Sequence, residues 1–283
     1  MALYLYKSYG KTINPKKLII FIHGYKSSME GIAAESEILS MFLPNTVIVT
    51  PQSDIKNKNN QSWQWYNIGD DDKQHRRHNP QASVEEIIEI YNRSGKQISQ
   101  QAKAINIFID EMQKLYKVDD SKTYIIGFSQ GAMMAVYTAL SRKATIGGCF
   151  ALSGVIAGKD CLEEEINNKT PIFMLHGTDD NIVQYKTLDY SISWLEKHNI
   201  KVEAVRYNGL KHNICVDELD FIAEKKLQMK FCTIQQKQYF YCFSIQYFIK
   251  LYIIFIMRQL SLHLFLQLYL QFSLNVFTNF FAQ

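Results

Sequence analysis

Short apolar runs alternating with stretches of helical periodicity constrain this chain most, because that alternation marks parallel strands covered by helices. The runs Leu18 to Ile22, Val47 to Thr50, Thr123 to Gly127, Gly148 to Leu152, Ile172 to Leu175 and Val202 to Tyr207 are predicted strands. Between them Ile98, Ala102, Ile105, Ile109, Met112 and Tyr116 recur at spacings of three or four, which places them on one stripe of a covering helix. Ser83 followed by Glu86, ahead of Ile87, Ile88 and Ile90, has the spacing of a capping box and predicts another helix start. The expected class is α/β, with a mostly parallel central sheet and helices on both faces.

With 47% hydrophobic and 20% charged residues the chain reads as globular, and a formal net charge of +4 is too small for a nucleic-acid footprint. All 27 acidic residues precede Phe231, whereas Lys237, Lys250 and Arg258 are the full charges beyond it. The composition shifts near Lys230, giving a body of 1–230 and a tail of 231–283 rich in Phe, Tyr, Ile, Leu and Gln. A membrane span needs about 20 predominantly apolar residues, and the tail breaks its apolar run with Gln246 and Lys250. Weak membrane contact through the tail is one expectation; a segment never selected to fold, as after a shifted reading frame, is the other. The five cysteines show no CxxC pairing, and Met1 to Lys11 lacks a basic leader followed by an apolar stretch. Free thiols and a cytoplasmic location are expected. Polar stretches from Asp54 to Asn60 and from Gly69 to Asn79 read as exposed loops. The run Asp70 to His78 gathers carboxylates and two histidines, yet lacks a recognised ligand spacing, so it reads as a solvated loop rather than a metal site.

The strongest local signal is Gly127-Phe128-Ser129-Gln130-Gly131, after the apolar Tyr124-Ile125-Ile126 and before the helix-prone Ala132 to Val136. A sharp strand-to-helix turn strains the serine backbone, and flanking glycines leave room where side chains would collide. A serine hydroxyl needs a base oriented by a carboxylate, in the chain order Ser, Asp, His for such a fold. Asp179 and Asp180 follow a predicted strand and compete for the carboxylate position. His212 lies in a loop after the last strand and is the candidate base; His198 lies near a helix end, where a histidine meets terminal carbonyls. The amide of Gln130 and that of Tyr25, after His23-Gly24, are candidate oxyanion donors. His23 and His176, each in a His-Gly pair at a strand end, are read as residues that shape their turns.

With these pieces assembled the chain resembles the phospholipase/carboxylesterase family, which includes acyl-protein thioesterases, over roughly Leu18 to Leu227. The segments that carry the resemblance are FIHGYKSS at Phe21, Pro51 to Trp65-Tyr66, GFSQGAMMA at Gly127, Leu152-Ser153-Gly154, LHGTDDNIV at Leu175 and YNGLKHNIC at Tyr207. The resemblance implies the α/β-hydrolase fold, with Ser129 as nucleophile, His212 as base, Asp180 as the orienting carboxylate, and the amides of Tyr25 and Gln130 as the oxyanion hole. It implies also that Trp65 and Tyr66 lie near the acyl-binding side, although large aromatics serve equally as core. A second glycine usual after His-Gly-x is Lys26 here, and lysine tolerates positive φ poorly, which puts the arrangement of that loop in question.

The expected activity is hydrolysis of carboxylic esters or acyl-thioesters of small molecules, with no metal or organic cofactor and no nucleic-acid partner. Its rival is a catalytically inert hydrolase-like binding module associated with membranes through the tail.

Overall fold

A computed structural model of the chain describes residues 4–226 except 58–61, 69–71 and 73. Its strands are β1 (Tyr6–Gly10), β2 (Lys17–Ile22), β3 (Thr46–Pro51), the short pair β4 (Ile55–Lys56) and β5 (Trp63–Gln64), β6 (Thr123–Phe128), β7 (Gly148–Leu152), β8 (Ile172–Gly177) and β9 (Val202–Tyr207). Its helices are α1 (Ala33–Phe42), α2 (Val84–Asn92), α3 (Gly95–Tyr116), α4 (Gln130–Ser141), α5 (Lys159–Glu165), α6 (Leu188–Lys197) and α7 (Val216–Asp220).

Seven strands form one sheet in the order β1-β3-β2-β6-β7-β8-β9. Only β1 runs antiparallel, against β3; the other pairings are parallel. All six predicted strands are present. The seventh, β1, has the sequence YKSYG and stays partly exposed at the sheet edge. Without an apolar run it carries no signal of its own, and its backbone pairing to β3 creates it.

Strands β3, β7 and β8 are buried along their whole length. Leu18, Ile20, Ile22, Val49 and Ile125 join one core with Ile98, Ile105 and Ile109 of α3. The alternate residues Ile19, Phe21, Ile48 and Phe150 point to the opposite face, and they are equally buried. Burial on both faces explains why these strands read as continuous apolar runs.

Helix α2 starts as its capping spacing predicts, with Ser83 Oγ accepting the Glu86 N–H at 3.1 Å. The polar stretches differ from expectation. Ile55–Lys56 pairs with Trp63–Gln64 instead of staying irregular. Farther on, Arg77 Nη1 meets Asp72 Oδ2 at 2.6 Å with both side chains nearly inaccessible. Asp72 also accepts the amides of Arg76 and Arg77, so its charge is neutralised and both its oxygens are hydrogen-bonded, the condition under which an ion pair survives burial. Asp70 and Asp71 lie outside the described residues, as does the tail beyond Lys230. Among the described residues no helix is long and apolar enough to cross a membrane.

The parallel strands end on one edge of the sheet. There β2 leads to Tyr25, β6 to Ser129, β8 to Asp180 and β9 to His212, so residues far apart in the chain meet beyond the strand ends.

Candidate active site

The turn from β6 to α4 holds Ser129 at φ 55° and ψ −118°. A serine at positive φ is strained by roughly 1–3 kcal/mol and persists only where its surroundings enforce it. The two glycines show what enforces it: a Cβ on Gly127 would lie 2.1 Å from the Gly131 carbonyl oxygen, and one on Gly131 would lie 2.2 Å from that of Ile22. Only bare backbones pass so closely. The Ser129 N–H donates to Leu152 O at 2.9 Å, which ties the turn to β7.

So held, Ser129 Oγ lies 3.0 Å from His212 Nε2. His212 Nδ1 lies 2.7 Å from Asp180 Oδ2, while Asp180 Oδ1 accepts the amides of Ile182 and Val183 at 2.9 and 3.1 Å. His176 Nε2 stands 3.3 Å from the same Oδ2 and 2.9 Å from Val183 O. Burial by itself would raise the Asp180 pKa, but the hydrogen bonds from His176 and His212, with the charge of His212 and the Ile182 amide, hold it well below the usual carboxylate range. An ionised Asp180 fixes the proton of His212 on Nδ1, which leaves the Nε2 lone pair to accept the Ser129 hydroxyl proton. Phe128 packs beside the imidazole, ring centroids 4.9 Å apart.

The profile of the phospholipase/carboxylesterase family matches residues 10–228. The chain belongs to that family. Within the phospholipase/carboxylesterase family, acyl-protein thioesterase 1 homolog 1 of Dictyostelium discoideum is 29% identical over 130 residues, covering 45% of this chain and 58% of that protein. Acyl-protein thioesterase 1 of Neurospora crassa is 35% identical over 103 residues, covering 35% of this chain and 42% of that protein. The chain thus spans about half the length of the curated relatives it matches. The crystal structure of esterase PE8 has the same fold, with a TM-score of 0.66 at 21% identity over 80% of this chain and 98% of that one.

For this phospholipase/carboxylesterase member, the aspartate that reaches His212 is Asp180; Asp179 is exposed and accepts the Thr178 hydroxyl at 3.2 Å. His198 behaves as a helix-end residue, its Nδ1 2.7 Å from Trp194 O. His23 is fully buried, donates from Nδ1 to Gly24 O at 2.9 Å and accepts the Ser53 N–H on Nε2 at 3.3 Å. Burial lowers its pKa to about 4 against the Gly24 hydrogen bond that raises it, so His23 is neutral near pH 7.

Ser129, His212 and Tyr25 border a cavity of about 200 Å³, together with Phe128, Glu35 and Ile214. Lys26 adopts φ 57°, so the early loop takes the left-handed conformation at this position without a glycine. Gln130 opens α4, where helix geometry leaves the first amides without intrahelical acceptors. Its side chain is committed elsewhere, accepting the Trp65 N–H at 2.9 Å and donating to Tyr66 O at 2.8 Å.

Trp65 and Tyr66, expected near the acyl-binding side, are both fully buried, and neither borders this cavity. Trp65 Nε1 donates to His23 O at 2.8 Å and the Tyr66 hydroxyl meets Met133 Sδ at 2.9 Å, so each ring buries its body and still finds a partner for its polar tip. They brace the two loops beside the serine from behind. Sequence reasoning missed that His176 touches Asp180; its place at a strand end, just before the two aspartates, was the available signal. It also missed Glu35, which one helix turn carries to the cavity and no motif marks.

Proposed function

We propose that this chain is a serine hydrolase that cleaves small carboxylic esters or acyl-thioesters through an acyl-enzyme. Ser129 Oγ attacks the carbonyl carbon while His212 Nε2 takes the hydroxyl proton, and Asp180 holds the imidazole and balances the imidazolium. The amides of Tyr25 and Gln130 serve the developing oxyanion. Collapse expels the alcohol or thiol, which takes its proton from His212, and leaves the acyl group on Ser129. Water then gives a proton to His212 and attacks the acyl carbon, and that proton returns to Ser129 as the acid leaves. The observation that carries this reading is the continuous path from Ser129 Oγ through His212 to Asp180 Oδ2, at 3.0 and 2.7 Å.

An inert binding module has no need of a strained serine beside a correctly polarised imidazole. The free thiols Cys149, Cys161 and Cys215 support a cytoplasmic setting. A family match that ends at residue 228 supports a catalytic body of 1–230 with 231–283 as an appendage.

Fluorophosphonate labelling of the full chain tests the proposal. Covalent modification at Ser129, absent in Ser129→Ala, is expected together with Ser129-dependent turnover of a nitrophenyl ester. An unlabelled, inactive but folded wild-type chain would overturn it.

A further inference from the structure

One wall of the cavity beside Ser129 carries a carboxylate with one oxygen left without a partner. Glu35, the third residue of α1, borders the cavity with Ser129 and His212. Its Oε2 is shielded from solvent and has no hydrogen-bond partner. A carboxylate oxygen in that condition is costly unless something supplies a positive charge or a donor. The position in the first turn of α1 favours a negative charge through the helix dipole, but a dipole donates no hydrogen bond to this oxygen. Among the described residues bordering the cavity there is no lysine or arginine to supply one. Lys26, the nearest basic residue in sequence, is exposed and lies 5.4 Å from the Tyr25 ring centroid, outside the cavity lining.

The other walls suit a cation as well. Tyr25 and Phe128 border the same space, and the Tyr25 ring already has the Lys26 ammonium over it, 5.4 Å from its centroid. At about 200 Å³ the cavity is smaller than the roughly 300–1,000 Å³ of sites for drug-sized ligands, so a compact headgroup fits it better than a long chain. An anionic group placed there would meet Glu35 without a counter-charge.

We propose that Glu35 is a specificity-determining residue, and that the substrates of this site are esters or thioesters bearing a compact ammonium group in the part that enters the cavity. The inference rests on Ser129 being the nucleophile, as proposed above. Glu35 attracts the cation, the aromatic walls enclose it, and the scissile carbonyl is thereby held beside Ser129.

Matched pairs of substrates test it with the full chain. One pair places the charge on the leaving group: acetylthiocholine against its uncharged tert-butyl isostere. The other places it on the acyl group: the nitrophenyl ester of trimethylammoniobutyrate against its tert-butyl isostere. At low ionic strength the cationic member of at least one pair should be favoured about tenfold or more in kcat/KM, and salt should weaken that preference. Glu35→Gln should bring the ratio close to unity, whereas Glu35→Asp, which keeps the charge on a shorter stem, should retain part of it. Equal rates within both pairs, a preference for the neutral members, or a cationic preference that survives Glu35→Gln would overturn the proposal. A shift in melting temperature for Glu35→Gln with the ratio unchanged would also overturn it, assigning Glu35 to the helix alone. Absence of turnover of all four esters, together with no fluorophosphonate labelling, would instead remove the nucleophile assignment and this inference with it.

Discussion

His176 Nε2 stands 3.3 Å from the Asp180 oxygen that lies 2.7 Å from His212 Nδ1. One carboxylate oxygen therefore faces two imidazoles while the other takes two backbone amides. Such a carboxylate has little freedom to rotate, and every donor around it favours the ionised form.

Replacing Asp180 with Asn keeps the shape and removes the charge. By analogy with other serine triads, kcat should fall on the order of 10⁴-fold, because the imidazole is no longer held in the tautomer that accepts the serine proton. Stability should respond to acid as well. The folded-state pKa of Asp180 is depressed, so its contribution is fully present above about pH 4, where the unfolded carboxylate is also ionised, and is lost as pH falls below that toward the folded value. Urea midpoints at about pH 6 and about pH 3 should differ more for wild type than for Asp180→Asn. An equal acid sensitivity would contradict this.

Gln130→Ala separates the two uses of one residue. The main-chain amide survives, but Trp65 N–H and Tyr66 C=O lose their buried partners. Unpaired buried groups cost about 1–3 kcal/mol each, so chemical denaturation should show a loss of about 2–6 kcal/mol. Turnover per folded molecule should fall far less than in Ser129→Ala. A total loss of activity in a folded variant would show that the side chain itself takes part in the chemistry.

Asp72→Ala distinguishes a buried ion pair from a solvated loop. Removing one partner leaves the Arg77 guanidinium buried and unpaired, which typically costs about 3–5 kcal/mol. A solvated loop would register less than about 0.5 kcal/mol. Equilibrium unfolding in urea reads the difference directly.

Glu218 offers a pH test of the opposite sign. Its side chain is fully buried, Oε2 accepts the Cys215 N–H at 2.9 Å, and Oε1 has no partner. Burial first, with the Asp180 charge behind it, raises its pKa to about 7 against the Cys215 hydrogen bonds that lower it. A raised carboxyl stabilises the fold below its unfolded pKa, and that contribution fades as pH climbs through the folded value. Glu218→Gln imitates the neutral acid. It should raise stability by on the order of 2 kcal/mol at about pH 8 and change little at about pH 5. Melting temperatures across that range decide it, and a variant equally stabilised at both ends would refute the assignment.

Particular residues show how far the sequence reached. Five of the six strands that pair in parallel were legible because they are largely buried and so carry their own apolar runs, while the edge strand β9 stays partly exposed and shows only the alternation of Val202, Ala204 and Val205 with charged residues. The serine turn was legible because Gly127 and Gly131 stand where a side chain would strike backbone. The edge strand β1 was not, since its five residues gain order from β3 rather than from their own pattern. Nor was the fate of Trp65 and Tyr66, because a large aromatic has the same composition whether it lines a cavity or braces a loop.

The sequence by itself determined the chain order of the six strands that pair in parallel, the sharp turn at Ser129, and which loops carry a carboxylate and an imidazole after it. Those features are local: they follow from periodicity, from the steric freedom of glycine and from chain order. Tertiary structure decided which groups meet, placing His176 against Asp180, Arg77 against Asp72, and Glu35 beside the serine. Such pairings depend on how distant segments exclude water from one another, and desolvation is a property of the assembled fold, not of any window of the chain.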